Sequence, residues 1–483
     1  MSLKLGTKNF TKLDYFVWIA GFFIFFLICK KAFTIPITHD EVGTVNYFSK
    51  MSIWDIITYK DPIPNNHILN TLLIKLFATI GGYSTSVVRL PSILSFIIYY
   101  YFVVKLIRTY FSDSILIICS IFLFVFNNYF IDFFSLARGY ALSISFQMAS
   151  VYYFLSFIDK QNKKDLILSL SLGSLAVYTN FTTLNFFLPL ILLLFIFIIT
   201  NKNKNGLIDK SHIFYLFLIP IICFLIIAYP ISRMMKSDQI NVWGSTGFYN
   251  ETIKVLINNM KLNVQYFEFS NDTLPIVVVS IVLFILSLYF IINNKFSKVV
   301  IYSYLLFFSA IIYNILQNNF LDVPNLNART SLFYFPLLMV PFVFSLQKLV
   351  NVNNLLGLFV CAFLGFMTLQ HFVRSCYGKS SYEWYYDENT YDVLKTLREV
   401  YISEGRKEPI KLDCEWIFHP SLSFYTADEY NKYINLEHYH SDLNPNSSNE
   451  FYYIQNEVYD KMKDNFVIFK EFAWGTRKLV KRK

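Results

Sequence analysis

The chain has 483 residues, of which 55% are hydrophobic, 19% aromatic and only 16% charged, and its mean hydropathy is positive. That mix excludes an ordinary soluble globular protein and points to a mainly α, polytopic helical membrane protein. The formal net charge of +9 is no sign of a nucleic-acid partner, because the Lys and Arg residues sit mostly in short segments between apolar runs, where they set membrane topology.

Apolar runs of roughly 17 to 22 residues, enough to cross a bilayer, begin near Tyr15, Val87, Ser114, Tyr140, Asp165, Thr182, Ile213, Thr273, Val299, Ser331 and Leu355. They predict about eleven spans. The first run has no small-residue cleavage site and reads as a retained anchor rather than a signal peptide. The run "HILNTLLIKLFATIGG" is shorter and contains Lys75, so it reads as a re-entrant or juxtamembrane helix. With a cytoplasmic N-terminus, "KLIRTYFSD", "DKQNKKD", "NKNKNGLIDK", "NNKFSK" and "QKLVNVNN" all fall on the cytoplasmic side, as the positive-inside rule requires. A full span at the short run would move "KLIRTYFSD" outside.

The remaining connections then face outward: the first loop, residues 34 to 86, the junction "NNYFIDFFSLARGY", the loop from Ser232 to Asp272, and "QNNFLDVPNLNAR". After about Arg374 the composition changes, and the chain divides into a transmembrane domain over 1–372 and an extracytoplasmic domain over 373–483. In the second, a helical period over Tyr391 to Ser403 is followed by strand-like "IKLDCEWIF", "FYYIQ" and "NFVIFKEF", which predicts a small soluble α/β domain. Cys29, Cys119, Cys223 and Cys361 lie in apolar runs and read as small core residues. Cys376 and Cys414 lie in the tail, and the sequence leaves their pairing open. No internal repeat is present, and no spacing suggests a metal site.

The outward loops gather ionisable residues at the membrane boundary, among them His39, Asp40, Glu41, Arg89, Asp132, Arg138 and Arg329. Charges there are costly to desolvate unless they face a cavity or a polar ligand. A carboxylate pair just outside a span is usually a solvated loop end, and a lone Arg is more often a headgroup anchor. Asn65, Asn66 and His67, however, stand at the entrance of the short helix, where backbone N–H groups favour an anion. Arg138 and Arg329 each open a span on the same side as the carboxylates. Together these residues suggest a lipid-phosphate site beside a general base.

The order "HDE" after the first span, "NNHILNTLLIKLFATIGGYSTSVVRLPSILSF", "ARGYALSISFQMASVYYFL", "YTNFTTLNFFLPLILLL" and a late "RTSLFYFPLL" resembles the GT-C superfamily of membrane glycosyltransferases, in the branch of protein O-mannosyltransferases and lipid A aminoarabinose transferases. The resemblance covers roughly residues 10 to 350 and leaves the tail outside. It implies a polyprenyl-phosphate sugar donor, Asp40 as catalytic base with Glu41 at the second acidic position, and His67, Arg138 and Arg329 toward the donor phosphate. His39, Asn66, Arg89 and Tyr140 are the further pocket candidates. Where many relatives open the short helix with His-Pro-Pro, this chain has His67, Ile68 and Leu69.

The chemistry fits these residue types on its own terms. An acceptor hydroxyl attacking an anomeric carbon must shed a proton to a base, and a carboxylate serves in one inverting step. The departing phosphate gains charge that Arg and His stabilise without a metal or cofactor. The expectation is therefore a glycosyltransferase of the bacterial inner (plasma) membrane and cell envelope, acting at the extracytoplasmic face on a lipid, glycan or protein acceptor. A lipid or small-molecule transporter or flippase is the alternative, and it should show symmetric discontinuous helices.

Overall fold

The computed structural model describes residues 11–201, 208–239, 247–261, 281–288, 297–444 and 447–483. The membrane part runs through α1 (Lys12–Thr34), a short turn of helix α2 (His39–Val42), α3 (Ile68–Gly81), α4 (Thr85–Tyr110), α5 (Ser114–Val125), α6 (Asn128–Asp132), α7 (Gly139–Lys160), α8 (Lys163–Thr179), α9 (Leu184–Asn201), α10 (Lys210–Lys236), α11 (Lys298–Leu321), α12 (Tyr334–Val352) and α13 (Asn354–Ser375). Among the described residues, eight helices are long and apolar enough to cross a bilayer, or nine if α5 and the bent segment after it count as one. This is a multi-pass membrane protein. Apolar side chains such as Phe22, Leu225 and Leu355 are largely exposed on the bundle's flank, where lipid replaces water as the neighbour.

Each expected span that lies in the described residues is a helix, and the start of the one near Thr273 falls outside them; residues 281–288 are helical. The helix ends follow from local chemistry. Thr11 and Asp14 cap α1 reciprocally, Asp113 caps α5 and Asn162 caps α8, each satisfying N–H groups that have no partner within the helix. The short run is the helix α3, of 14 residues, too short to span.

Two expected spans differ: the run from Asp165 forms a helix of 17 residues that is not among those eight. The run from Ser114 breaks after Val125, and its continuation through Asn128–Ser135 turns by 58°. Asn127 makes the break, since its side chain accepts from Phe130 N at 3.0 Å and so caps a new helix. The outward junction read from the sequence is thus helical in its first half, and it carries Asp132 into the protein. There Asp132 forms a buried ion pair with Lys31 of α1 and accepts from Tyr382 N at 3.0 Å, tying the tail to the bundle.

The tail forms helix α14 (Thr390–Ser403), strands β1 (Ile410–Cys414), β2 (Ile434–Leu436), β3 (Phe451–Gln455), β4 (Phe466–Phe472) and β5 (Arg477–Arg482), with α15 (His419–Thr426) between β1 and β2. The sheet order is β2-β1-β3-β5-β4. β1 runs parallel to β2 and β3, and β5 runs antiparallel to β3 and β4. The strand expected over "IKLDCEWIF" stops at Cys414, because the chain turns there into α15. Cys376 and Cys414 are unpaired, and Cys414 is buried. The side of α15 turned to the bundle meets the first loop: Ser421 Oγ donates to Ile37 O at 2.6 Å, and Ile37 N donates to the Tyr425 hydroxyl at 2.9 Å.

Candidate active site

A cavity of about 820 Å³ lies where α2, the start of α3, the α7 entrance, the turn before α12 and α15 converge. Asp40, on α2, projects into it. Its neighbour Glu41 does not, since consecutive helical side chains diverge by about 100°. Glu41 is fully buried against Arg89 of α4. Arg89 donates from Nε to Glu41 Oε1 at 2.8 Å and from Nη2 to Oε2 at 2.6 Å. Its fork also holds the carbonyls of Ala32, Ile35 and Pro36, and Glu41 further accepts from Ala137 N at 2.5 Å. Glu41 and Arg89, named from the sequence as a catalytic partner and a pocket residue, therefore face each other outside the cavity. Their pair fastens the first loop to α4 and to the α7 entrance.

Asp40 meets two guanidinium groups. Arg329 Nη2 stands 3.0 Å from its Oδ2, and Arg138 Nη2 stands 3.6 Å from the same oxygen. Arg138 is almost fully buried. It also donates from Nη1 to Thr44 Oγ1 at 3.0 Å and bonds to Asn65 Oδ1, while Asn65 Nδ2 donates to Asp40 O at 3.1 Å. A Cβ on Gly43 would come 2.7 Å from Asn65 Nδ2, so the bare glycine lets Asn65 reach this position. Burial alone would raise the Asp40 carboxyl, but the charges of Arg138, Arg329 and His39 outweigh it and hold the group below the ordinary carboxylate value.

The tail adds His419, Pro420 and Ser423 to the wall and braces Arg329 and the first loop from behind it. Glu383 Oε2 accepts from Arg329 Nη1 at 3.3 Å, and the Arg329 guanidinium lies 5.1 Å from the Trp384 ring centroid, a cation–π distance. The Trp384 side chain also helps to hold the Asp40 carboxyl down. Asp387 is fully buried, and burial pushes its carboxyl well above the usual range. Its Oδ2 accepts from His39 N at 2.7 Å, which fixes the residue before Asp40.

His67 stands at the N-terminal boundary of α3, without a side-chain capping bond, and lines the cavity beside Tyr140, whose ring centroid is 5.0 Å away. Burial and the two arginines push its pKa well below the usual value, so it is a neutral hydrogen-bonding group at pH 7 rather than a cation. Its Nε2 has no hydrogen-bond partner among the described residues. A Cβ on Gly139 would lie 2.6 Å from the His67 Cβ, so the Arg138-Gly139 step lets the histidine pack there. Asn66 lines the cavity, but its amide is committed to Ile56 O at 3.0 Å. His39 lines it as well, with Nδ1 3.1 Å from Ile417 O.

Of the residues singled out in the sequence, Asp40, Arg138, Arg329, His67, Tyr140, His39 and Asn66 thus share one cavity. Glu383 and Trp384 were not among the named residues, and Asn65 was named only at the entrance of the short helix. Asn65 had the signal of standing beside His67 at a helix entrance, whereas the tail residues had none, because they reach the site through tertiary packing alone.

Residues 66–229 match the family described as dolichyl-phosphate-mannose-protein mannosyltransferase. No curated protein matches the sequence. The fold is similar to that of the crystal structure of ArnT from Cupriavidus metallidurans in the apo state, with a TM-score of 0.54, 9% identity and coverage of 96% of this chain and 97% of that one. The same protein bound to undecaprenyl phosphate aligns with a TM-score of 0.51, at the same identity and coverage. The chain thus shares the overall fold of ArnT. The resemblance read from the sequence is borne out, and the likeness in structure extends past residue 350 into the tail. The stretch that matches the family contains His67, Arg89, Arg138 and Tyr140, while Asp40 and Arg329 fall on either side of it.

Proposed function

We propose that this chain is an integral membrane glycosyltransferase that moves a sugar from a polyprenyl-phosphate donor to an acceptor nucleophile at the extracytoplasmic face, with inversion and without a metal. The observation that carries the reading is the convergence of Arg138 and Arg329 on one carboxylate oxygen of Asp40 inside a cavity at the membrane boundary. The undecaprenyl phosphate bound by ArnT supports the donor class.

In this reading the donor phosphate sits on the two guanidinium groups, with the neutral His67 ring beside them. The acceptor oxygen attacks the anomeric carbon as the bond from that carbon to the phosphate oxygen breaks. The electron pair leaves with the phosphate, and the acceptor proton passes to Asp40. A phosphate on Arg138 and Arg329 competes with Asp40 for them, so donor binding itself raises the basicity of the carboxylate. Asn65, Glu383 and Trp384 position the arginines. Residues 1–372 form the membrane catalytic domain, and 373–483 form an extracytoplasmic domain that closes the cavity. The N-terminus is cytoplasmic, and the membrane is the bacterial inner (plasma) membrane.

The test is to incubate purified protein with a panel of polyprenyl-phosphate sugars and follow donor consumption by mass spectrometry. Loss of one donor with release of its polyprenyl phosphate supports the proposal. An intact panel in the presence of cell-envelope acceptors counts against it.

A further inference from the structure

A second cavity, of about 600 Å³, lies between the first loop, the start of α4 and the tail, within the roughly 300–1,000 Å³ range of small-molecule sites. The two cavities share a wall residue. Asn46 lines both of them, and α15 lends His419 and Ser423 to the first and Phe424 and Tyr425 to the second. We propose that the second cavity seats the acceptor, an uncharged or weakly charged glycan linked to neither lipid nor protein, whose attacking hydroxyl reaches Asp40 past Asn46. This inference rests on the glycosyltransferase reading above.

The chemistry of the walls selects that class. The rings of Tyr83, Tyr391 and Tyr425 border the space, and a sugar ring stacks its C–H face on such rings while its hydroxyls need polar partners. Ser84, Thr85 and Ser86 supply those partners on one edge, since each hydroxyl both donates and accepts. The aromatic wall is held in place beforehand: the Tyr425 hydroxyl donates to the Tyr391 hydroxyl at 2.9 Å and accepts from Ile37 N at 2.9 Å. Little ordering cost then remains at binding.

Other acceptor classes fit less well. Lys50 faces the cavity together with Asp428 and Glu429, and it lies 5.5 Å from the Tyr83 ring centroid, so the charge balance does not favour a phosphate-rich lipid headgroup. None of the lining residues lies in a strand, so an extended peptide finds no sheet edge to pair with.

Envelope membranes carrying the full chain, supplied with radiolabelled polyprenyl-phosphate sugar, test the assignment. Label entering envelope acceptors is followed beside label released to water, and the labelled product is sorted by lipid extraction, protease and glycosidase treatment. Ser84 is exposed and makes no capping bond at the start of α4, so Ser84→Trp fills the second cavity without removing a cap. The expected result is a glycosidase-sensitive product and about a tenfold loss of transfer in the Ser84→Trp membranes, with release to water unchanged. Unchanged transfer, or equal loss in both readouts, overturns the second cavity as the acceptor seat. A product that extracts with lipid or falls to protease overturns the glycan class. Wild-type membranes that neither transfer nor release label contradict the glycosyltransferase reading itself, which is a distinct outcome.

Discussion

Arg329 holds Asp40 Oδ2 at 3.0 Å with one nitrogen and Glu383 Oε2 at 3.3 Å with the other, so one guanidinium joins the first loop to the tail. The carboxylate read from the sequence as a base is therefore set by residues more than 280 positions away. Each half of this arrangement yields an expectation that can be measured.

Arg138→Lys should reduce turnover roughly 10 to 100-fold while the protein still inserts and folds. The fork of Arg138 reaches Asp40, Thr44 and Asn65 at once, and a lysine has one compact charge that cannot keep all three and a phosphate. Steady-state kinetics on the purified variant checks this. Equal turnover would return Arg138 to the role of a headgroup anchor.

Glu41→Gln should damage the protein's stability more than its chemistry. It strands the Arg89 charge, which is fully buried, and breaking such a pair costs about 3–5 kcal/mol. Thermal unfolding in detergent should show a much lower midpoint, and the folded remainder should still consume donor. A midpoint equal to wild type, with activity abolished, would make Glu41 a participant in the reaction.

The pH profile follows from the same charges. Arg138 and Arg329 depress the Asp40 carboxyl despite its burial, so the free enzyme keeps its base ionised throughout the neutral range. Activity should be lost only as pH falls through a value below the ordinary carboxylate pKa of about 3.9. His67 is already neutral and should add no limb near pH 6. In Arg329→Gln one of the depressing charges is gone, and the acidic limb of kcat/KM should move up. A wild-type limb between pH 6 and 7 would assign the base to another group.

Much of this was legible in the sequence because the bilayer makes it so. Long apolar runs mark the helices directly, and the basic connections fix their alternation. The α7 entrance with Arg138 and the α3 entrance with His67 were visible as ionisable residues beside apolar runs. The distinction between Asp40 and Glu41 was only half visible: helical divergence says the two cannot face one way, but only the partner Arg89 shows which faces inward. In the tail, β5 reads "RKLVKR" and resembles a charged end, yet it pairs with both β3 and β4. Arg477 there is buried, bonded to Asn389 at 2.8 Å and set over Tyr385 at 5.6 Å. Long basic side chains bury their stems while their heads find partners, and that pairing is set by the tertiary fold, not by local pattern. Glu383 and Trp384 escaped for the same reason.

The central claim is that Asp40 takes the acceptor proton, and single-turnover transfer by Asp40→Asn beside its donor affinity tests it most directly. Asn is nearly isosteric and keeps an oxygen for Arg329, but it cannot hold the proton. The account predicts a fall in the rate of transfer of order 10² to 10⁴, with donor affinity held or improved, because the arginines lose their competing carboxylate. An Asp40→Asn enzyme that transfers at a rate close to wild type would contradict it.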